Sequence, residues 1–291
     1  MQIKGKKALH AVIFILLGIL LFILFLYIGF PYETLKRRIV GELEARTPFL
    51  YEIEEIHPYP LVGLRFKNVV AYASVDSKRV RVLGAERFRV TVSLLPLLWR
   101  KLSLRLRGRV LGGTLVGGIS KRGDQRELTL RGRDMSLQQI GVLKDLVGME
   151  ITGILGGVTV ITLEEGDISE QSGRAEFLIT KAILSKLPLP GLAPLRIGRI
   201  EGELELSRGS VLIKRFAFSE GDLEGQVLGT IVLSSHFPDS RLNLRITVEP
   251  AAEFDPRHRV LLSLLGRQGK IKGSLAFSMR GTLGRPRLVT K

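Results

Sequence analysis

The chain has 291 residues, a formal net charge of +16 and no cysteine, which excludes disulfides, cysteine-ligated zinc and thiol catalysis. A charge of that size raises nucleic acid as a partner, but the lysines and arginines recur at alternate positions along the chain and form no basic block interleaved with aromatics, so no specific nucleic-acid binding is expected. Anionic lipid headgroups or acidic protein partners fit such an exterior better.

Residues 8–30 carry no charge and are mostly Leu, Ile, Phe and Val. As a helix at about 1.5 Å per residue they would reach about 34 Å, enough to cross a hydrocarbon core of about 30 Å with some tilt. Lys4, Lys6 and Lys7 hold one end in the headgroups, and Tyr27, Phe30 and Tyr32 form an aromatic belt at the other. A cleaved signal peptide would have a shorter apolar core and a small-residue cleavage site, so the run reads as an uncleaved transmembrane anchor behind a short tail, residues 1–7. Charge leaves the orientation open, because Lys36, Arg37 and Arg38 balance the three lysines ahead of the run.

Residues 31–47 place Leu35, Ile39 and Leu43 at i, i+4 and i+8, an amphipathic helix of about four turns. It could lie on a membrane surface; packing on the following domain is the plainer expectation.

From Thr47 the period changes to two. Leu102, Leu104 and Leu106 alternate with Ser103, Arg105 and Arg107; the pattern returns at Leu242, Leu244, Ile246 and Val248, and at Leu275, Phe277 and Met279. Residues 48–291 therefore read as a mainly β domain of on the order of twelve antiparallel strands, each with one wet and one apolar face. The candidate groove or core face is Leu102, Leu104, Leu106, Leu242, Leu244, Ile246, Leu275 and Phe277. Three short helices are expected, at residues 93–99, 136–148 and 255–266. They are too few to roof a dozen strands, so the apolar face must close on itself or stay open as a channel. A hairpin, helix and strand around residues 136–154 resemble the same pieces around residues 255–274, which hints at a duplication. The Pro-rich stretch 188–195 is the one plausible sub-boundary.

Nothing in the chain assembles a catalytic or metal constellation. His10, His57, His236 and His258 are far apart and none has a second ligand at helical spacing. Gly112 to Gly118 lacks the Gly-Lys-Ser/Thr ending of a phosphate loop, and close strand packing or a bulge is the expected role of its glycines. Glu164, Glu165 and Asp167 read as a solvated hairpin tip, and Arg122-Gly123-Asp124 as a turn. With no Gly-x-Ser-x-Gly elbow either, no enzyme and no cofactor are expected.

The order of these pieces resembles the AsmA-like form of the type II secretion system protein N family. The likeness is carried by the anchor running into Phe30-Pro31-Tyr32, by the amphipathic helix, by Ile56-His57-Pro58 and the Leu64 to Val69 strand, by residues 93–98 followed by Gly112 to Gly117, and by Gly281-Thr282-Leu283-Gly284-Arg285-Pro286. The resemblance implies a single-pass protein of the bacterial inner membrane with its N-terminus in the cytoplasm. Its β domain would lie in the periplasm beside secretion-system subunits, the inner-membrane platform or the secretin. Membership of the wider AsmA-like group further implies a long curved sheet with an apolar groove, and phospholipid as a ligand.

Overall fold

The computed structural model describes residues 13–15, 17–18, 21, 25, 29–47, 49–59, 63–75, 78–93, 103–122, 125–140, 150–163, 171–185, 194–234, 236, 239–251 and 275–290. Most of the apolar run 8–30 lies outside these residues. Its described members up to Gly29 are helical, and among the described residues no helix is long and apolar enough to cross a membrane. The helices expected at 93–99 and 255–266 also lie essentially outside the described residues. Of the one expected at 136–148, Ser136 closes a strand and Leu137–Gln139 form a single 3-10 turn.

Helix α1 (Tyr32–Arg46) follows Pro31, whose lack of an N–H costs nothing at a helix start. It ends at Thr47, which turns extended while its backbone N–H still donates to the Leu43 carbonyl. Fourteen strands come next. They are β1 (Phe49–Tyr59), β2 (Gly63–Val75), β3 (Lys78–Val92), β4 (Ser103–Val110), β5 (Gly113–Arg122), β6 (Gln125–Ser136) and β7 (Ile151–Leu163), then β8 (Ser172–Leu184), β9 (Leu195–Ser207), β10 (Ser210–Ser219), β11 (Leu223–Val232), β12 (Arg241–Pro250), β13 (Leu275–Thr282) and β14 (Arg285–Thr290).

The mainly β character read from the alternation is what the structure has. The strands form one open antiparallel sheet in which every strand pairs with its neighbours in sequence, so β1 and β14 are both edges. At about 4.8 Å per strand the sheet runs about 60 Å from one edge to the other. Contacts follow the same order, each strand packing almost wholly on its two neighbours, as in a solenoid. The Pro-rich stretch 188–195 joins β8 to β9, which pair directly, so the sheet continues across it.

The two edges differ. At β1 the Tyr51 N–H donates to Glu44 Oε1 at 3.0 Å, and Lys36 Nζ donates to the Glu54 carbonyl at 3.3 Å. Side chains of α1 thus occupy backbone groups that would otherwise recruit another strand. At β14, Leu288 and Val289 are half exposed and no helix lies against the strand among the described residues.

A slanted row of irregularities crosses the sheet. Asn68 on β2, Asp134 on β6 and Lys181 on β8 have positive φ, as do Gly153 on β7, Gly198 on β9 and Glu220 after β10. Register shifts accompany them between Ala85 and Arg87, Gly132 and Met135, Thr152 and Ile154, and Ile179 and Ala182. Each extra residue reverses which face the next side chain takes. Apolar residues three apart, not two, consequently share a face: Ile53 and Ile56, Phe66 and Val69, Ile179 and Ala182, Ile197 and Ile200 sit pairwise in the same clusters.

Candidate functional site

The register gathers apolar side chains on one face and puts the charged rows on the other. Along β4 to β6, Leu104 lies opposite Ile119 and Leu106 opposite Gly117, with Leu128 and Leu130 next in line. Along β8 to β10, Phe177 lies beside Gly202 and Gly202 beside Phe216, so the two rings meet edge-on across the glycine with centroids 5.9 Å apart. Along β12 and β13, Leu244 faces Met279, Ile246 faces Phe277 and Val248 faces Leu275. The apolar face therefore continues from β1 to β13 without a charged row.

Seven of the eight sequence-predicted residues fall on this face, and Leu102 lies outside the described residues. Leu242, Leu244, Ile246, Leu275 and Phe277 form one patch, with Leu242 and Phe277 buried and the other three half-buried. Leu104 and Leu106 are half-buried on the same face, eight strands away from β12, or about 40 Å.

Two parts of the face were not among the predicted residues. One is the cluster of Leu137, Ile179, Ala182 and Ile200 with Phe177, Phe216 and Phe218; the other is Ile53, Ile56 and Phe66, which Tyr32, Ile39 and Val40 of α1 cover. Phe177 and Ile179 alternate at period two, but the three-residue spacing of Ile179 and Ala182, and of Ile53 and Ile56, hides other members from a search at that period. A pair such as Ile53 and Ile56 inside an otherwise alternating segment is the signal that would have found them.

The apolar face is the enclosed one. Large apolar side chains on the opposite face stand clear, Val116, Leu212, Leu228 and Val232 being 38 to 44% exposed. Beyond α1, no second sheet and no strand from the far edge packs over the apolar side among the described residues.

The opposite face is charged, and its two halves differ. On β8 to β10 the charges neutralise one another: Arg174 pairs with Glu176 at 2.7 Å, Glu201 with Arg199 at 2.7 Å and with Arg215 at 2.9 Å, and Lys214 with Glu205. Glu205 accepts a hydrogen bond from Lys214 and holds its ammonium pKa above the ordinary value. On β2 to β6 arginines stand opposite arginines. Carboxylates of β1 are drawn in at the near end: Glu54 and Glu55 to Lys67, and Glu52 to Arg79. The pKa of Glu55 is lowered first by its hydrogen bond from His57 and then by Lys67.

Among the described residues no three His, Cys, Asp or Glu side chains gather as a ligand set for a metal ion. What the described residues present is two surfaces, an apolar face on one side of the sheet and fixed charge on the other. Comparison with family models, with curated proteins and with solved structures returns no match.

Proposed function

We propose that this chain is a non-enzymatic protein of the bacterial inner membrane, anchored by residues 8–30 with its N-terminus in the cytoplasm, whose periplasmic sheet receives lipid acyl chains on its apolar face. The carrying observation is the unbroken apolar face of an open fourteen-stranded sheet, with no second layer beyond α1 among the described residues. Half-buried apolar side chains such as Leu104, Leu244 and Ile246 recur along it, and an apolar ligand is what a long, uncharged face fits. The resemblance to the AsmA-like group supports the same reading. Lipid extracted from a gently solubilised preparation tests it: phospholipid should co-purify with the parent chain and be lost from Leu244→Asp/Ile246→Asp while the circular dichroism stays that of strand. A lipid-free parent would refute it.

A second reading, a component of the type II secretion system acting through protein contacts, is favoured by the β14 edge, on which no described helix or strand packs beyond β13, and by the motifs that resemble that family. Strand addition to an exposed edge is a common recognition mode. Photo-crosslinks from positions 287 and 289 to inner-membrane platform or secretin subunits in intact cells would support it, and crosslinks to neither would count against it.

A further inference from the structure

The charged face of β2 to β6 has cations where a sheet normally alternates its signs. Arg65, Arg89 and Arg107 stand directly opposite one another across β2, β3 and β4, and Lys67, Arg87 and Arg109 form the row beside them. Past the neutral Val116 and Thr114 of β5, the same two rows reach Arg131 and Arg133 on β6. All eight are exposed.

Like charges directly opposite one another destabilise a sheet, so this array carries a cost within the fold that an anionic partner would offset. Lys67 alone among the eight has carboxylate partners, Glu55 at 3.3 Å and Glu54 at 3.9 Å. Arg65 and Arg89 lie over the Tyr59 ring, 5.3 and 5.2 Å from its centre. Arg87, Arg107, Arg109, Arg131 and Arg133 have no carboxylate within ion-pair distance among the described residues. The paired charges of β8 to β10 show that this chain neutralises a face when it needs to.

We infer that the β2 to β6 outer face docks on the surface of an anionic membrane, its arginines bound to lipid phosphates. Three observations favour a membrane over an acidic protein or a nucleic acid. The rows are regular, with neighbouring cations about 5 Å apart across β2 to β4 and about 7 Å apart along each strand, and with β6 they reach about 20 Å. They spread in two rows over a sheet face, wider than the one track a single polyanion would follow, and Arg65, Lys67, Arg87 and Arg89 line a small cavity within it. They also begin on β2, the partner of β1, and β1 carries α1, which follows directly from the apolar run ending at Phe30. The inference rests on the anchored reading of residues 8–30, and not on the lipid trough.

The absence of cysteine allows one label to be placed at will. Val116→Cys puts a fluorophore between Arg107 and Arg131, and Leu212→Cys puts a control on the same face outside the array. The full chain is reconstituted into discs of phosphatidylcholine alone or of equal phosphatidylcholine and phosphatidylglycerol, each with a trace of headgroup-quencher lipid. Retention in both discs reports on the anchor, and quenching reports on the array. The label at 116 should be quenched in the anionic discs only, the label at 212 in neither, and added salt should reverse the quenching. Arg107→Gln/Arg109→Gln/Arg131→Gln should shift the docking equilibrium by about a hundredfold. Equal quenching in both lipids, or no loss in the triple variant, overturns the inference. So does a label that answers to polyglutamate or single-stranded DNA and not to phosphatidylglycerol. If neither disc retains the chain the anchor reading fails, and the array is then judged alone by salt-sensitive quenching with added phosphatidylglycerol vesicles.

Discussion

Gly198 offers the sharpest test of the bulge row. It has φ +78, and a Cβ there would meet the Glu220 carbonyl oxygen at 2.4 Å, the Glu220 carbonyl carbon at 2.5 Å and the Ser219 oxygen at 2.5 Å. These are backbone atoms of the turn between β10 and β11, so no side-chain rotation relieves the clash. Left-handed backbone for a residue with a Cβ costs about 1–2 kcal/mol, and overpacking adds about 1–3 kcal/mol. The reduced freedom of the unfolded chain returns about 0.4–1 kcal/mol. Gly198→Ala should therefore lose about 1–4.5 kcal/mol. Gly156, on β7, is the control: its φ is not positive, and a Cβ would meet only the Gly132 carbonyl oxygen at 3.7 Å. Gly156→Ala should thus gain about 0.5 kcal/mol from the unfolded state. Urea unfolding of the full chain in mild detergent, followed by the strand signal in circular dichroism with an unchanged slope, reads both. A neutral Gly198→Ala, or equal effects at the two positions, would refute the reasoning that the row fixes the strand geometry there.

Leu104→Asp should leave the melting temperature nearly unmoved while bound lipid is lost, because an open face lets the new carboxylate stay hydrated, and Arg105→Asp should change stability by no more than about 0.5 kcal/mol; a large drop for Leu104→Asp would mean a closed core. Glu55 should titrate below its ordinary value by NMR, and His57→Ala should raise it. A depressed folded pKa means that its contribution to stability is present above the unfolded value and fades as the pH falls through the folded one, so Glu55→Gln should remove that acid-side dependence. Alkaline phosphatase fused after Lys291 should be active, and an inactive fusion would reverse the proposed topology.

The strands that keep strict alternation were legible in the sequence. Leu104, Leu106, Leu242, Leu244 and Ile246 were placed on one face because each strand there has apolar residues two apart, and the ladder keeps them in line. Fourteen strands were read as about twelve; Ala175, Phe177 and Ile179 alternate as well, but Ala182, Ile197 and Ile200 join their cluster only through a three-residue step. Where Lys181 or Gly153 takes a positive φ, the backbone inserts a residue and the period slips by one. Lys181 has no sequence mark of that role: lysine seldom adopts such a conformation, and only the ladder on both sides dictates it. The Arg rows were half visible. Alternating arginines appear within β4, but that Arg65, Arg89 and Arg107 oppose one another depends on the register of three strands, which no local pattern supplies.

The trough itself is tested most directly by a photoreactive side chain placed on either face of one strand. Leu244 is half-buried on the apolar face of β12, and its neighbour Asn243 is exposed on the other, outside the arginine array. Benzoylphenylalanine in place of Leu244, irradiated in cells fed radiolabelled phosphate, should give a protein band carrying labelled phospholipid, and the same residue in place of Asn243 should give none. Labelled lipid at neither position, or equally at both, would contradict an acyl-chain trough on the apolar face.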